Sequence, residues 1–196
     1  MVVEIIRHGE TDLQAEHRYQ GRLDVPLSEQ GRRQLLRADE SPETVIVTDL
    51  RRTRETAGIL FPEAVQVICP GLREMDFGRF EGKNYLEMAD DPDYRQWVDG
   101  GCLGTCPGGE ARADFEDRVC TAFRTLIRQA RQEGKKQLVI VAHGGTQMAV
   151  MSRLCTEKRD YYDWHLMSGQ GFKVLAGNQE AERFLTLMSV TEHTDR

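Results

Sequence analysis

Four short apolar runs, separated by helix-length segments, constrain this chain most. VVEII (2–6), TVIVT (44–48), VQVIC (65–69) and QLVIV (137–141) are rich in β-branched residues and too short for buried helices, so each reads as a buried strand. Helical signals lie between and after them. Ser28 can cap a helix that continues through GRRQLL, RRTRETAGIL (51–60) forms a second, and TQMAVMSRLC (146–155) follows the fourth strand. The longest pattern covers 110–133, where Phe115, Val119, Phe123, Leu126 and Ala130 recur at helical spacing and Gly134 ends it. FKVLA and RFLTLMSV flank Gly177-Asn178, which predicts a closing hairpin. Strands alternating with helices predict an α/β sandwich, a mostly parallel sheet with helices on both faces, as one domain over residues 1–196. The polar, glycine-rich stretch at about 71–109 has only short helical pieces and reads as a lid-like insertion.

Composition narrows the function. The net charge of −6 argues against a broad nucleic-acid or membrane surface, so an anionic ligand would need a local basic pocket. No apolar stretch approaches the roughly 20 residues of a membrane span, and MVVEII has neither the basic lead nor the long apolar centre of a signal peptide. Five cysteines, an odd number without a paired framework, fit reduced thiols. The expectation is a cytoplasmic protein, monomer or homodimer, whose partner is a small molecule.

The strand ends carry the chemistry. VVEII runs into Arg7-His8-Gly9, QLVIV into Ala142-His143-Gly144-Gly145, and TVIVT into Asp49-Leu50-Arg51-Arg52. In a parallel sheet these carboxyl ends share one edge, where ligands bind. If the three strands are neighbours, two histidines and at least two arginines meet there, with glycines that let the backbone turn and approach a ligand. Such a cluster repels itself unless an anion fills it. A phosphate monoester suits it, because the guanidinium fork donates two parallel hydrogen bonds to phosphate oxygens. One neutral histidine could attack phosphorus in line while the cations offset charge on the equatorial oxygens, and a carboxylic acid could protonate the leaving oxygen. A single histidine after a strand is more often structural; two His-Gly strand ends with a strand-end arginine pair point to an anion site.

RHGET near the N-terminus, DVPLSEQGRRQ (24–34), DLRRTRETA (49–57), LREMDFGRFEG (72–82), PGGE (107–110) and VAHGG (141–145) occur in order. Together they resemble the histidine phosphatase superfamily, with its phosphoglycerate-mutase-like three-layer fold. The resemblance implies that His8 is the nucleophile that becomes phosphohistidine. Arg7, Arg52 and His143 would hold the phosphoryl group, and Glu74 would be the proton donor and later the base. Gly9, Thr11, Gln14, Gln20, Gly21 and Gly144 would line the substrate site, Gln14 standing where the family often has asparagine. No metal or other cofactor is implied, since the arginines and second histidine supply the positive charge. Within the family, GLREMDFGRFEG, YRQWVDG and WHLMSGQGF look like alpha-ribazole-5'-phosphate phosphatases of cobalamin assembly. That implies a metal-independent phosphomonoester hydrolase.

Other features carry less. Cys102 and Cys106 lack the second pair of a metal site. His17 and His193 are expected to be solvated, His165 either packed in a helix, the favoured reading, or near the mouth of the site, Arg51 and Arg54 on a solvated helix face, and Glu110 at the helix N-terminus as a cap. Met75, Phe77, Phe80, Tyr85, Tyr94 and Trp97 are candidates for an apolar wall. Arg73, Arg79, Lys83 and Arg95 are the extra cations of the insertion. Two rivals stay open: the same site used as a mutase, and a catalytically weak phosphate-binding regulatory module, which would have no need of Glu74.

Overall fold

Six strands form one sheet: β1 (Val2–Arg7), β2 (Thr44–Val47), β3 (Val65–Ile68), β4 (Gln137–Ala142), β5 (Gln170–Ala176) and β6 (Leu185–Glu192), in the order β3-β2-β4-β1-β5-β6. The structure, a computed structural model, describes residues 1–39 and 41–195. β1, β2, β3 and β4 are mutually parallel, while β5 pairs antiparallel with both β1 and β6. Arg7 lies opposite Ala142 and Val47 opposite Val141, so the expected neighbours end at one edge.

Among the described residues there are six α-helices: α1 (Asp12–Ala15), α2 (Glu29–Gln34), α3 (Arg51–Leu60), α4 (Pro92–Asp99), α5 (Arg112–Gln132) and α6 (Gly144–Leu154). Alternation along the strands divides the core in two. Val3, Ile5, Ile46 and Ile140 pack with Phe115, Val119, Phe123 and Ile127 of α5 and Ala149, Val150 and Leu154 of α6. Ile6, Val45, Val47, Val139 and Val141 pack on the other face with Ala57 and Leu60 of α3, Leu27 and Leu35. At about 1.5–3 kcal/mol for each fully buried large aliphatic or aromatic side chain, these two layers hold the sheet between the helices.

Several boundaries differ from expectation. β3 is not buried: Val65, Val67 and Ile68 are 64 %, 41 % and 51 % exposed, because β3 is the edge strand and pairs with β2 alone. Ser28 does cap α2, accepting from Gly31 N–H at 2.9 Å, but the helix stops at Gln34 because Leu35 turns extended and bridges Thr194. α5 starts at Arg112 with no side-chain cap, so Glu110 does not cap it. Gly134 does end it: at φ +72 its N–H reaches Arg131 O and the next N–H, of Lys135, reaches Ala130 O, a Schellman closure. β5 and β6 form the expected hairpin, yet Gly177-Asn178 is only the start of a wide connection. Arg124 of α5 holds that connection open by donating to the carbonyls of Gln179, Ala181 and Glu182. Residues 71–109 contain α4 and two short 3-10 turns, and Phe80, Met88, Tyr94, Trp97 and Cys106 pin the segment to the core. No helix among the described residues is long and apolar enough to cross a membrane.

Candidate active site

β1 hands directly to His8 and β4 to His143, and the parallel register sets the two rings edge to face, centroids 5.3 Å apart. His8 Nδ1 lies 2.7 Å from Gly9 O, a geometry only the Nδ1–H tautomer satisfies, so Nε2 keeps its lone pair. Burial, then the charges of Arg52 and Arg7, hold the His8 imidazole well below its ordinary range, against the Gly9 carbonyl. His143 is held down likewise, by burial, Arg52, His8, Arg7 and Arg118. Both rings are therefore neutral at pH 7.

The arginines come in from different elements. Arg52, fully buried on α3, donates to Leu23 O at 2.7 Å and Gly21 O at 2.8 Å. Burial lowers its guanidinium to about 10, against the raising charges of Glu74, Glu81 and Asp24, and it stays charged at neutral pH. Arg7 donates to Leu166 O and meets His165 Nε2 at 3.0 Å. Arg7 Nε, Arg52 Nε and His143 Nδ1 are all buried without a hydrogen-bond partner among the described residues.

Glu74 lies in an irregular loop, and its carboxylate reaches the start of α6, accepting from Gly145 N–H at 2.8 Å and from Met75 N–H at 3.0 Å. The glycine pair after His143 makes room for side chains. A Cβ on Gly144 would come within 3.2 Å of Arg7 Nε, and one on Gly145 within 2.1 Å of Glu74 Oε1.

The other expected lining residues sit one step back. Gly9 N–H donates to Thr56 Oγ1, and a Cβ there would press on Leu35. Thr11 caps α1, with Gln14 Oε1 accepting its N–H at 3.0 Å, and its hydroxyl donates to Gln20 Oε1 at 2.8 Å. Gln14 Nε2 donates to Ser168 Oγ. Gly21 contributes its carbonyl to Arg52. This chain of bonds braces the loop after β1 around the histidines.

Sequence reasoning missed several contributors. Thr48 Oγ1 meets His143 Nε2 at 3.1 Å and Thr53 Oγ1 at 2.9 Å, fixing the second ring; its signal was a polar residue closing the β2 run. His165 is exposed rather than packed in a helix, the less favoured of its two expected placements, and meets Arg7 just after the 161–164 turn. His193 is not solvated: it meets Glu4 at 2.9 Å and packs on Phe61. Arg51, Arg54 and His17 are exposed as expected.

A cavity of about 220 Å³ opens beside Glu74, lined by Tyr19, Phe77, Trp97, Tyr161 and Tyr162 with Met75, Cys102, Met148 and Arg112. Of the expected wall, Met75, Phe77 and Trp97 face it. Phe80 and Tyr94 are consumed by packing behind it, 5.4 Å ring to ring, and Tyr85 lies outside. Arg73, Arg79 and Arg95 are paired with Asp49, Asp91 and Asp90. The cation at the cavity is instead Arg112, 3.5 Å over the Tyr161 ring and 4.9 Å from that of Tyr162, with Nε 3.2 Å from Glu116.

The profile of the Histidine phosphatase superfamily (branch 1) matches residues 3–187. The chain belongs to the histidine phosphatase superfamily. Among curated members, this chain is similar to a glucosyl-3-phosphoglycerate phosphatase of Mycolicibacterium vanbaalenii, 33 % identical over 91 % of this chain and 85 % of that protein. It is also similar to the "Probable phosphoglycerate mutase GpmB" of Citrobacter koseri, 34 % identical over 72 % of this chain and 69 % of that one. Among solved structures, the alpha-ribazole phosphatase from Shigella flexneri superposes with a TM-score of 0.80 at 25 % identity, covering 98 % of this chain and 97 % of the other.

The two depressed histidines of this superfamily member set a pH dependence. Unfolded, each takes up a proton as pH falls through about 6.5; folded, His8 and His143 resist it. Their contribution is fully present above that pH and is lost as pH falls below it, each at a slope of up to about 1.4 kcal/mol per pH unit. Urea midpoints measured from pH 8 to pH 5 should drop more steeply in the native protein than in His143→Gln. Parallel curves would show that the buried rings are not the cause.

Proposed function

We propose that this protein is a metal-independent phosphomonoester hydrolase that works through a phosphohistidine. The observation that carries the reading is the His8 tautomer: with Nδ1–H spent on Gly9 O, Nε2 is a neutral nucleophile at the strand edge beside Arg7, Arg52 and His143. In the first step Nε2 bonds to phosphorus as the ester P–O bond breaks, Arg7, Arg52 and His143 take the charge on the equatorial oxygens, and protonated Glu74 gives its proton to the leaving oxygen. In the second, Glu74 takes a proton from water, the water oxygen attacks phosphorus, and the N–P bond breaks to release phosphate.

The cavity beside Glu74 receives the leaving alcohol. Its aromatic lining suits a flat ring better than a small triose acid. Arg112 does not call for a carboxylate there, because Glu116 compensates its charge. We therefore favour alpha-ribazole 5'-phosphate as substrate, and a cytoplasmic place in cobalamin assembly. A mutase reading has Arg112 as its support, a cation that could hold an acid group.

The test is a competition in one tube between alpha-ribazole 5'-phosphate, glucosyl-3-phosphoglycerate and 3-phosphoglycerate. The first should be hydrolysed at least ~10-fold more efficiently by kcat/KM, about 1.4 kcal/mol of transition-state preference. Earlier consumption of either glycerate ester overturns the substrate. Formation of 2-phosphoglycerate without free phosphate overturns hydrolysis itself.

A further inference from the structure

Glu74 has no regular secondary structure to hold it, yet a proton donor must sit within about 0.5 Å of its working position. Arg118, in the second turn of α5, supplies the missing rigidity. All five of its guanidinium N–H groups find acceptors. Nε and one NH2 hydrogen go to the two oxygens of Glu110, each at 2.8 Å. The rest go to the carbonyls of Gly71 at 3.0 Å, Arg73 at 3.1 Å and Glu74 itself at 3.3 Å. Glu110 then completes a clasp from the other side, where its Oε2 accepts Asp76 N–H at 2.9 Å and its own N–H donates to Asp76 O at 2.9 Å. The backbone is thus gripped both before and after Glu74. Thr146 of α6 adds a hydroxyl bond to Leu72 O at 3.0 Å. Burial would raise the Glu110 carboxyl, but the Arg118 hydrogen bond, the Asp76 N–H and the charges of Arg118 and Arg22 outweigh it and hold it below its ordinary range. The clasp therefore stays ionised across the neutral range.

We propose that Arg118 and Glu110 are positioning residues that set the reach of Glu74 to the leaving oxygen, an inference that rests on the reading of Glu74 as proton donor. Among the described residues the pair makes no hydrogen bond to His8, Arg7, Arg52 or His143, and only the charge of Arg118 is felt at His143. Loosening it should harm leaving-group protonation and spare phosphate binding. Lysine cannot replace the fork, since three donors on one nitrogen cannot span two carboxylate oxygens and three carbonyls.

The experiment compares Arg118→Met, Arg118→Lys and Glu110→Gln with the native protein across phosphomonoesters whose leaving groups run from p-nitrophenol to simple alcohols, together with the inhibition constant for inorganic phosphate. Arg118→Met should lose about 10²-fold in kcat on alkyl esters, the usual cost of a misplacement near 1 Å. It should lose less than ten-fold on p-nitrophenyl phosphate, with phosphate inhibition unchanged. Arg118→Lys and Glu110→Gln should show the same tilt in milder form, and they carry the test if Arg118→Met fails to fold. Adding Arg118→Lys to Glu74→Gln should cost little more than Glu74→Gln alone. An equal loss on all leaving groups, or a matching rise in the phosphate constant, overturns the clasp while a leaving-group tilt in Glu74→Gln keeps the donor reading. Absence of the tilt in Glu74→Gln itself overturns both.

Discussion

His8→Ala should remove turnover, by roughly 10⁴-fold or more, the scale on which losing a covalent nucleophile is felt, while the protein stays folded. Among the described residues the ring hydrogen-bonds to the carbonyl of the next residue and packs edge to face on His143. The ring is uncharged in the folded protein, so no ion pair is lost with it and the chain should remain folded. Brief exposure of the native protein to radiolabelled substrate, followed by quenching in alkali, should leave label on His8. That label should be stable to base and labile to acid, as a phosphoramidate is. Native-like hydrolysis by His8→Ala, or label at another residue, would end the covalent proposal.

Glu74→Gln should lower kcat by roughly 10²- to 10⁴-fold on alkyl phosphates, the usual worth of general acid catalysis. The amide keeps the shape and can still accept from Gly145 N–H, so binding should hold while proton donation fails. With p-nitrophenyl phosphate, whose leaving group barely needs a proton, the loss should shrink. Gly145→Ala should reach the same end by another route. Its Cβ would fall 2.1 Å from Glu74 Oε1 and must push the carboxylate away from the helix start. A uniform loss across leaving groups in Glu74→Gln would remove Glu74 from the proton-transfer step.

Much of this was legible in the chain because it is local. Burial on alternating faces writes itself into β-branched runs, which placed β1, β2 and β4. A strand-end histidine marks its own strand edge, which placed His8 and His143 together once the sheet was parallel. The expected burial of β3 failed because an apolar run says nothing about its place in the sheet order. Glu110 was misplaced for a similar reason: a carboxylate just before a helix suits the helix dipole, but Arg118 and Asp76 offered it stronger bonds. Arg112 carried no signal at all, being one arginine among many until Tyr161 and Tyr162 were folded over it.

The sequence by itself determined the alternation of strands and helices, the two His-Gly strand ends, the strand-end arginines and the family motifs, since each rests on spacing within a few residues. Only the tertiary structure decided which nitrogen of His8 is free, that Glu74 docks on a helix 71 residues away, and that a Cβ on Gly144 or Gly145 would crowd Arg7 or Glu74. The physical reason is that these are properties of pairs. A tautomer is chosen by the carbonyl it meets, a carboxylate's place by the N–H groups that hold it, and a glycine's necessity by the side chain that would otherwise collide with its Cβ. None of those partners can be read from the residue alone.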